Sequence, residues 1–213
     1  KPLIIAFFIT IVIVFDSNYL ISQQWQFANG PYEAMMFSIS IDRQNPHIVY
    51  VTGYSPYIST NNGKYWKEIP PDTLITQNLE PVIKADPLNS GVVYFGGYGA
   101  LYKSYDYGEN WEIIGFKNRS VTSIEIDPVN ADIIYVGLKN SSDDAIWKST
   151  DAGETWVKIT NGIPIHHSPI QNCKVIKIDP FDNHSIIASI SSSGVFKSID
   201  GGNNWTLLAN MSA

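Results

Sequence analysis

Two pairs of adjacent polar residues carry most of the reactive groups in the variable parts of this sequence: Asp143-Asp144 and His166-His167. Carboxylates and imidazoles can transfer protons or bind metals. Neighbouring residues in an extended segment point to opposite sides, so neither pair forms a bidentate metal site by itself. The alternative is that both pairs are solvated loop residues. We treat them as candidate ligand-binding residues and predict no catalytic residue, no metal site and no cofactor.

Two tyrosines, Tyr54 and Tyr98, occupy similar positions in loops that vary between repeats. An aromatic ring in such a loop can stack on a sugar ring or a peptide, and it can equally pack on its own scaffold. Both tyrosines are therefore further candidate ligand-binding residues.

The elements that must position these residues are repeats. An eight-residue motif, Ser-x-Asp-x-Gly-x-x-Trp, begins at Ser59, Ser104, Ser149 and Ser198, with steps of 45, 45 and 49 residues. Each repeat also contains an Asp-Pro-x-Asn-like turn between two alternating apolar runs. This pattern predicts four short strands, a to d, in each repeat, and a period of about 45 residues is typical of a propeller blade. The predicted fold is an all-β propeller with four complete four-stranded blades at about 34–70, 81–115, 121–160 and 173–209.

The residue types of the motif suit a tight turn between strands c and d. The Asp side chain can accept backbone N–H groups, the Gly permits positive φ, and the Trp buries a large apolar face. The first copy has Asn61 in place of Asp, which keeps the acceptor and loses the charge. A calcium loop is the weaker alternative, because calcium needs six or more oxygens. We predict a structural role for Ser59, Asn61, Gly63, Trp66, Ser104, Asp106, Gly108, Trp111, Ser149, Asp151, Gly153, Trp156, Ser198, Asp200, Gly202 and Trp205.

The motif resembles the Asp-box, or bacterial-neuraminidase repeat, which sialidases, sortilin-type receptors, xyloglucanase-type glycoside hydrolases and photosystem II assembly factors share. With the Asp-Pro-x-Asn turn, residues 25–210 most resemble the sortilin and xyloglucanase branch. The resemblance implies a β-propeller but leaves the activity open, because catalytic and non-catalytic members have the same repeat. A sortilin-type role would imply a peptide ligand inside the ring.

The first residues predict a targeting segment. Leu3–Phe15 is an uncharged apolar run that follows Lys1, and it is shorter than the roughly 20 residues of a bilayer-spanning helix. We predict a signal peptide over 1–22, truncated at its start, with a short membrane anchor or a buried strand as alternatives. Residues 23–213 would then be a partial propeller in which 25–29 form a closing strand. A self-closed ring of four blades is the other option.

The charge balance argues against some partners. The net charge is −6 and the chain has only two arginines, so we expect no nucleic-acid partner. Membrane contact is expected only through an uncleaved leader or through regions outside this sequence. The expected partners are a polysaccharide, a protein or peptide, and remaining blades of the same chain. The single cysteine, Cys173, is expected to be a small buried residue, with a reactive thiol as the alternative.

Strands alternate in direction, so the motif turns and the Asp-Pro-x-Asn turns share one face, and the variable loops share the other. Function is expected on the variable-loop face. We expect an exported, non-catalytic binding or scaffold module that is secreted, displayed at the cell surface or periplasmic. The alternative is a glycoside hydrolase of the xyloglucanase or sialidase type. The resemblance would place a catalytic Asp in the first blade, where residues 47–58 contain no carboxylate, and would require three arginines for a sialidase.

Overall fold

The computed structural model describes residues 30–31, 35–53, 55–69, 80–97, 99–139, 145–164, 172–191 and 193–209. These residues form four antiparallel sheets of four strands, which we call blades 1 to 4 in chain order. The predicted four complete, four-stranded blades are thereby confirmed. In the part of the chain described, no helix is long and apolar enough to cross a bilayer. The leader and the proposed closing strand lie outside the described residues.

The strands of each blade follow one another in the sheet in chain order. Blade 1 contains β1 (Ser38–Ile41), β2 (Val49–Thr52), β3 (Pro56–Ser59) and β4 (Lys67–Glu68). Blade 2 contains β5 (Val82–Ala85), β6 (Val93–Gly96), β7 (Leu101–Ser104) and β8 (Glu112–Gly115). Blade 3 contains β9 (Ser120–Ile126), β10 (Ile134–Lys139), β11 (Ile146–Ser149) and β12 (Val157–Lys158). Blade 4 contains β13 (Cys173–Asp179), β14 (Asp182–Ile190), β15 (Gly194–Ser198) and β16 (Thr206–Ala209).

The first strands of the blades, β1, β5, β9 and β13, contact one another in chain order, and the residues described form no closed ring. Side chains of a strand alternate between two faces, so each first strand faces two different blades. On β1, Ser40 Oγ accepts a hydrogen bond from Ala85 N of blade 2, at 2.9 Å. On β5, Ile83 and Ala85 are buried with Tyr50 and Ile58 of blade 1. The hydrophobic core therefore lies between blades.

The four Asp-box turns have one hydrogen-bond pattern. In blade 3, Ser149 Oγ donates to Asp151 Oδ1 at 2.7 Å and accepts from Gly153 N at 2.9 Å. Asp151 Oδ1 also accepts from Thr155 N at 2.9 Å. The same three contacts occur in the other boxes, and Asn61 Oδ1 replaces the carboxylate oxygen in blade 1. Each turn thus satisfies backbone donors that no strand partner reaches.

The second carboxylate oxygen has a partner of its own. Thr155 Oγ1 donates to Asp151 Oδ2 at 2.5 Å, and Asn204 Nδ2 donates to Asp200 Oδ2 at 2.7 Å. The box with Asn61, which has no second oxygen, carries Tyr65 at the equivalent position. The side chains of Thr155 and Asn204 are the largest causes that lower the pKa of Asp151 and Asp200 to about 2.

Each box also packs against the preceding blade. A methyl group added to Gly153 would lie 2.7 Å from Ile114 Cδ1 of blade 2. Gly108 and Gly202 meet Ile69 and Ile159 of their preceding blades in the same way. These glycines, which have φ between +90° and +98°, are therefore required both by the turn and by the close approach of an isoleucine.

Lysines of the third strands add a polar contact between blades. Lys103 Nζ donates to Ala152 O of blade 3 at 3.0 Å, and Lys148 Nζ donates to Gly201 O of blade 4 at 2.9 Å. Both carbonyls belong to the Asp-box of the following blade. Burial lowers the pKa of Lys103 and Lys148, and nearby carboxylates oppose that change.

The turns between the first and second strands differ in blade 4. In blades 1 to 3 an Asp Oδ1 accepts two backbone N–H groups, as Asp127 does from Val129 and Asn130 at 2.9 and 3.2 Å. In blade 4 the predicted turn is present but shorter: Asp179 Oδ1 accepts from Phe181 N at 2.9 Å, and Asp179 pairs directly with Asp182. The reason is that Asp182 occupies the position of the turn Asn and begins β14.

The contact between Gly153 and Ile114 can be tested against a glycine that lacks it. Gly153→Ala should lower the free energy of unfolding by about 2–4 kcal/mol, because positive φ and overpacking both oppose the new methyl group. Gly63→Ala is the control, since Gly63 also has positive φ but its nearest neighbour is Trp66 at 3.5 Å; it should cost about 1–2 kcal/mol. Urea unfolding measures both.

Ile114→Val removes the Cδ1 atom that the new methyl group would meet. In this background the cost of Gly153→Ala should fall towards that of Gly63→Ala. Equal costs of Gly153→Ala with Ile114 and with Val at that position would contradict the proposed contact between blades.

The depressed pKa values predict a loss of stability in acid. Asp151 and Asp200 titrate at about 2 in the folded chain against 3.8 in the reference state. Their contribution is complete above the unfolded value and is lost as the pH falls from about 4 to 2. D151N/D200N should have a lower Tm at neutral pH and a smaller fall of Tm across this interval. D132N, at an exposed carboxylate, is the control; if it flattens the Tm profile equally, the box carboxylates are not responsible.

Candidate functional site

The sequence predicts six candidate ligand-binding residues on the face with the variable loops. Tyr54, Tyr98, Asp143, Asp144, His166 and His167 lie outside the described residues. The structure therefore neither brings these side chains together nor separates them, and their roles stay predictions. The tyrosines belong to loops between the second and third strands of blades 1 and 2.

The described residues around Tyr98 show how one of these loops is held. Gly99 N donates to Arg119 O at 3.0 Å, and Val121 N donates to Gly97 O at 3.0 Å. These bonds join the loop between β6 and β7 to the loop between β8 and β9. Phe116, at positive φ, anchors the second loop by edge-on contacts with Trp147 and Trp156, with ring centroids 5.7 and 5.0 Å apart. Two variable loops of blade 2 thus share one fixed base.

A cavity of about 590 Å³ lies at the other end of the first strands, beside the turns that follow them. Its apolar lining consists of isoleucines and prolines from all four blades, and its charged lining residues are Arg43, Lys84 and Glu125. We call it the axial cavity. The full lining is Ile39, Ser40, Ile41, Arg43, Pro46, Lys84, Ala85, Pro87, Glu125, Ile126, Pro128, Ile178 and Pro180.

Two lysines share one carboxylate at this cavity. Lys84 Nζ lies 2.9 Å from Glu125 Oε2, and Lys177 Nζ lies 2.8 Å from the same oxygen. The side chains of Lys84 and Glu125 are only 26% and 12% exposed, so water screens this pair weakly. Burial lowers the pKa of Lys84 and the ion pair with Glu125 opposes that change.

Sequence reasoning missed this cluster, although a signal was present. Ser40, Lys84, Glu125 and Lys177 each lie two positions before the Asp that begins the turn of their blade. Equivalent positions of first strands approach one another around the axis, so opposite charges in adjacent repeats predict an ion pair between blades. A second signal is Arg43, which occupies the place of the proline in the other three turns.

The axial cavity is not arranged for glycoside hydrolysis. That reaction needs two carboxyl groups across the scissile bond. Among its lining residues Glu125 is the single carboxylate, and both Lys84 and Lys177 contact it. What the cluster offers is an excess of positive charge beside an apolar surface.

Metal and thiol chemistry have little support in the described part of the chain. No three His, Cys, Asp or Glu side chains there are grouped to hold a metal ion. Cys173 is fully buried, as expected, and burial raises the pKa of its thiol to about 12. A thiol with that pKa is protonated at neutral pH and is a poor nucleophile.

Curated relatives include a xyloglucanase, Xgh74A of Acetivibrio thermocellus. It is 35% identical over 96 residues, which covers 36% of this chain and 11% of the relative. The chain therefore corresponds to about a tenth of the length of this enzyme.

Solved structures show the fold. An ancestral GH74 enzyme superposes with a TM-score of 0.73 at 22% identity, covering 88% of this chain and 26% of the enzyme. An auxiliary nutrient-binding protein of Bacteroides thetaiotaomicron superposes with a TM-score of 0.58 at 12% identity, covering 81% and 40%. Together with the four blades, these likenesses confirm the predicted β-propeller fold.

The profile of the Sortilin-Vps10 family (sortilin, neurotensin receptor 3) matches residues 99–212. This segment includes blade 3, blade 4 and the last three Asp-boxes. It spans more than half of the 213 residues, and the predicted resemblance to the sortilin branch is confirmed. By its repeats, its blades and this match, the chain belongs to the Sortilin-Vps10 family.

Proposed function

We propose that this chain is an exported, non-catalytic β-propeller module that binds carbohydrate through its variable-loop face. The observation that carries the proposal is the 35% identity with a xyloglucanase over 96 residues. The export part rests on the apolar leader Leu3–Phe15 and its preceding lysine.

Two further observations support binding without turnover. The first blade has no carboxylate over 47–58, where the resemblance to xyloglucanases would place an acid. The axial cavity has one carboxylate among its lining residues, and two lysines engage it. Sugar binding needs only shaped loops and a few aromatic or polar side chains, which the loops around Tyr54 and Tyr98 supply.

The second candidate function is glycoside hydrolysis. Its support is again the similarity to a xyloglucanase and to GH74 enzymes. In that case Asp143 or Asp144, on a variable loop, would supply one carboxylate, and the other catalytic residues would come partly from blades outside this sequence. A protein or peptide ligand on the same face is the third possibility, and it rests on membership of the sortilin family.

Calorimetry with a xyloglucan heptasaccharide tests the proposed binding. We expect saturable binding that Y54A and Y98A each weaken about tenfold, because loss of a ring that stacks on a sugar removes apolar contact. Tyr65→Ala is the matched control, since Tyr65 is an exposed tyrosine inside the first Asp-box, away from the variable loops, and only its backbone N–H contributes to the box. Weakening by Y65A equal to that by Y54A would place the binding site elsewhere.

A reducing-sugar assay with polymeric xyloglucan separates binding from turnover. The proposal expects no release above a heat-denatured sample. Release that D143N or D144N abolishes would establish the hydrolase instead, and absence of both binding and release would remove the carbohydrate function.

A further inference from the structure

The axial cavity collects positive charge in an acidic protein. Arg43 and Lys84 line the cavity with Glu125, and Lys177 contacts the Glu125 carboxylate from outside the lining. Together they carry three positive charges against the one carboxylate of Glu125, whereas the whole chain has a net charge of −6. Lys84 and Lys177 both contact the same oxygen of Glu125, so one unit of their charge is not balanced by this contact. An anion that entered the cavity would meet a favourable field.

Arg43 is the free cation of this cluster. Its side chain is exposed, and within the described residues it has no hydrogen bond and no ion pair. A guanidinium presents two parallel N–H groups that match the two oxygens of a carboxylate. Proline occupies the equivalent position in the other three turns, at Pro87, Pro128 and Pro180. Those prolines line the same cavity.

The aspartates of the turns carry negative charge, but they lie outside the lining of this cavity. Asp42, Asp86 and Asp127 are between 0% and 3% exposed and are absent from the cavity lining. Their Oδ1 atoms accept backbone N–H groups of their own turns. Asp179, on blade 4, is exposed and accepts from Phe181 N, and it too is outside the lining.

The shape and lining of the cavity suit a small ring-shaped ligand. Its volume of about 590 Å³ falls within the range of roughly 300–1,000 Å³ of small-molecule pockets. Four isoleucines and four prolines give it an apolar wall, on which the C–H face of a sugar ring can pack. Arg43, Lys84 and Glu125 belong to the same lining, so we expect a ligand with both an apolar face and one anionic group to fit best.

We propose that the axial cavity is a second binding site, specific for a carboxylate-bearing sugar such as a uronic acid. The Arg43 guanidinium binds the carboxylate, the Lys84 and Lys177 ammonium groups stabilise its charge, and Glu125 positions the two lysines. The sugar part of this assignment rests on the proposed carbohydrate function, whereas the carboxylate part rests on the cavity alone.

Calorimetry of the full chain with tetragalacturonate and with its fully methyl-esterified form tests the proposal. The ester keeps the sugar rings and removes the charge, so we expect at least about tenfold weaker binding of the ester. R43Q should weaken tetragalacturonate binding by about the same factor, and the affinity should fall as salt is added. Arg43 is exposed, so thermal unfolding of R43Q should match that of the unmodified chain.

Lys64→Gln supplies the matched control, because Lys64 is an exposed cation outside the cavity lining and its loss changes the net charge equally. Equal weakening by K64Q and R43Q would show a general charge effect and overturn the site. Equal affinity for the acid and its ester would do the same. The last experiment compares a pentapeptide that has a free C-terminus with the same peptide as its C-terminal amide. Peptide binding that requires the carboxylate, without tetragalacturonate binding, would refute the sugar assignment.

The xyloglucan heptasaccharide separates this inference from the proposed function. If it binds in a Tyr54-dependent manner while tetragalacturonate does not bind, only the axial site fails. If neither sugar binds, the carbohydrate function fails with it.

Discussion

The isoleucine that lies against the glycine of the next Asp-box is the contact on which the rest of the structure depends. A four-stranded sheet cannot bury both faces by itself, so each blade needs a neighbour at a fixed distance. Ile69 and Ile159, under Gly108 and Gly202, are 2% and 7% exposed, whereas Leu208 of blade 4 is 54% exposed. Burial at this position therefore comes from the following box. Beside this packing, Lys103 and Lys148 each donate a hydrogen bond to a carbonyl of the following Asp-box, which adds a directional contact between the blades.

The blades could be predicted from the sequence because the patterns that indicate them are local. The strands, the turns and the box spacing are all contained within a single repeat, and repetition multiplies each weak pattern. The match between the second carboxylate oxygen and its donor was also present in the sequence: Asn110, Thr155 and Asn204 accompany Asp, and Tyr65 accompanies Asn61. This match is hard to predict from the sequence, because the residue before the Trp differs in type from box to box. Only the hydrogen-bond geometry shows that Asn and Thr do the same thing there.

The contacts between blades were harder to predict, because each joins residues of two repeats. Lys84 and Glu125 are 41 residues apart in the sequence. This separation predicts a contact only once the first strands are placed side by side around an axis. The shorter turn of blade 4 could not be predicted for a different reason. Asp182 is close enough to Asn in chemistry to pass as the same turn, yet it pairs with Asp179 and lengthens both strands. The contacts of the loop residues Tyr54 and Tyr98 cannot be predicted in either way, because variable loops do not follow the repeat.

The division of the molecule into a structural face and a functional face therefore needs refinement. Repetition makes a turn look structural, and the Asp-box turns behave in that way, with the same three hydrogen bonds four times over. The turns after the first strands repeat as well, but they surround the axis, where small differences between repeats meet in one place. Arg43 for proline in one turn, and serine, lysine or glutamate at the equivalent position of the first strands, would be unremarkable on an outer edge. At the axis they combine into a single charged cavity. In a repeat protein, departures from the consensus at axial positions are thus brought together in space, whereas those on an outer edge stay apart.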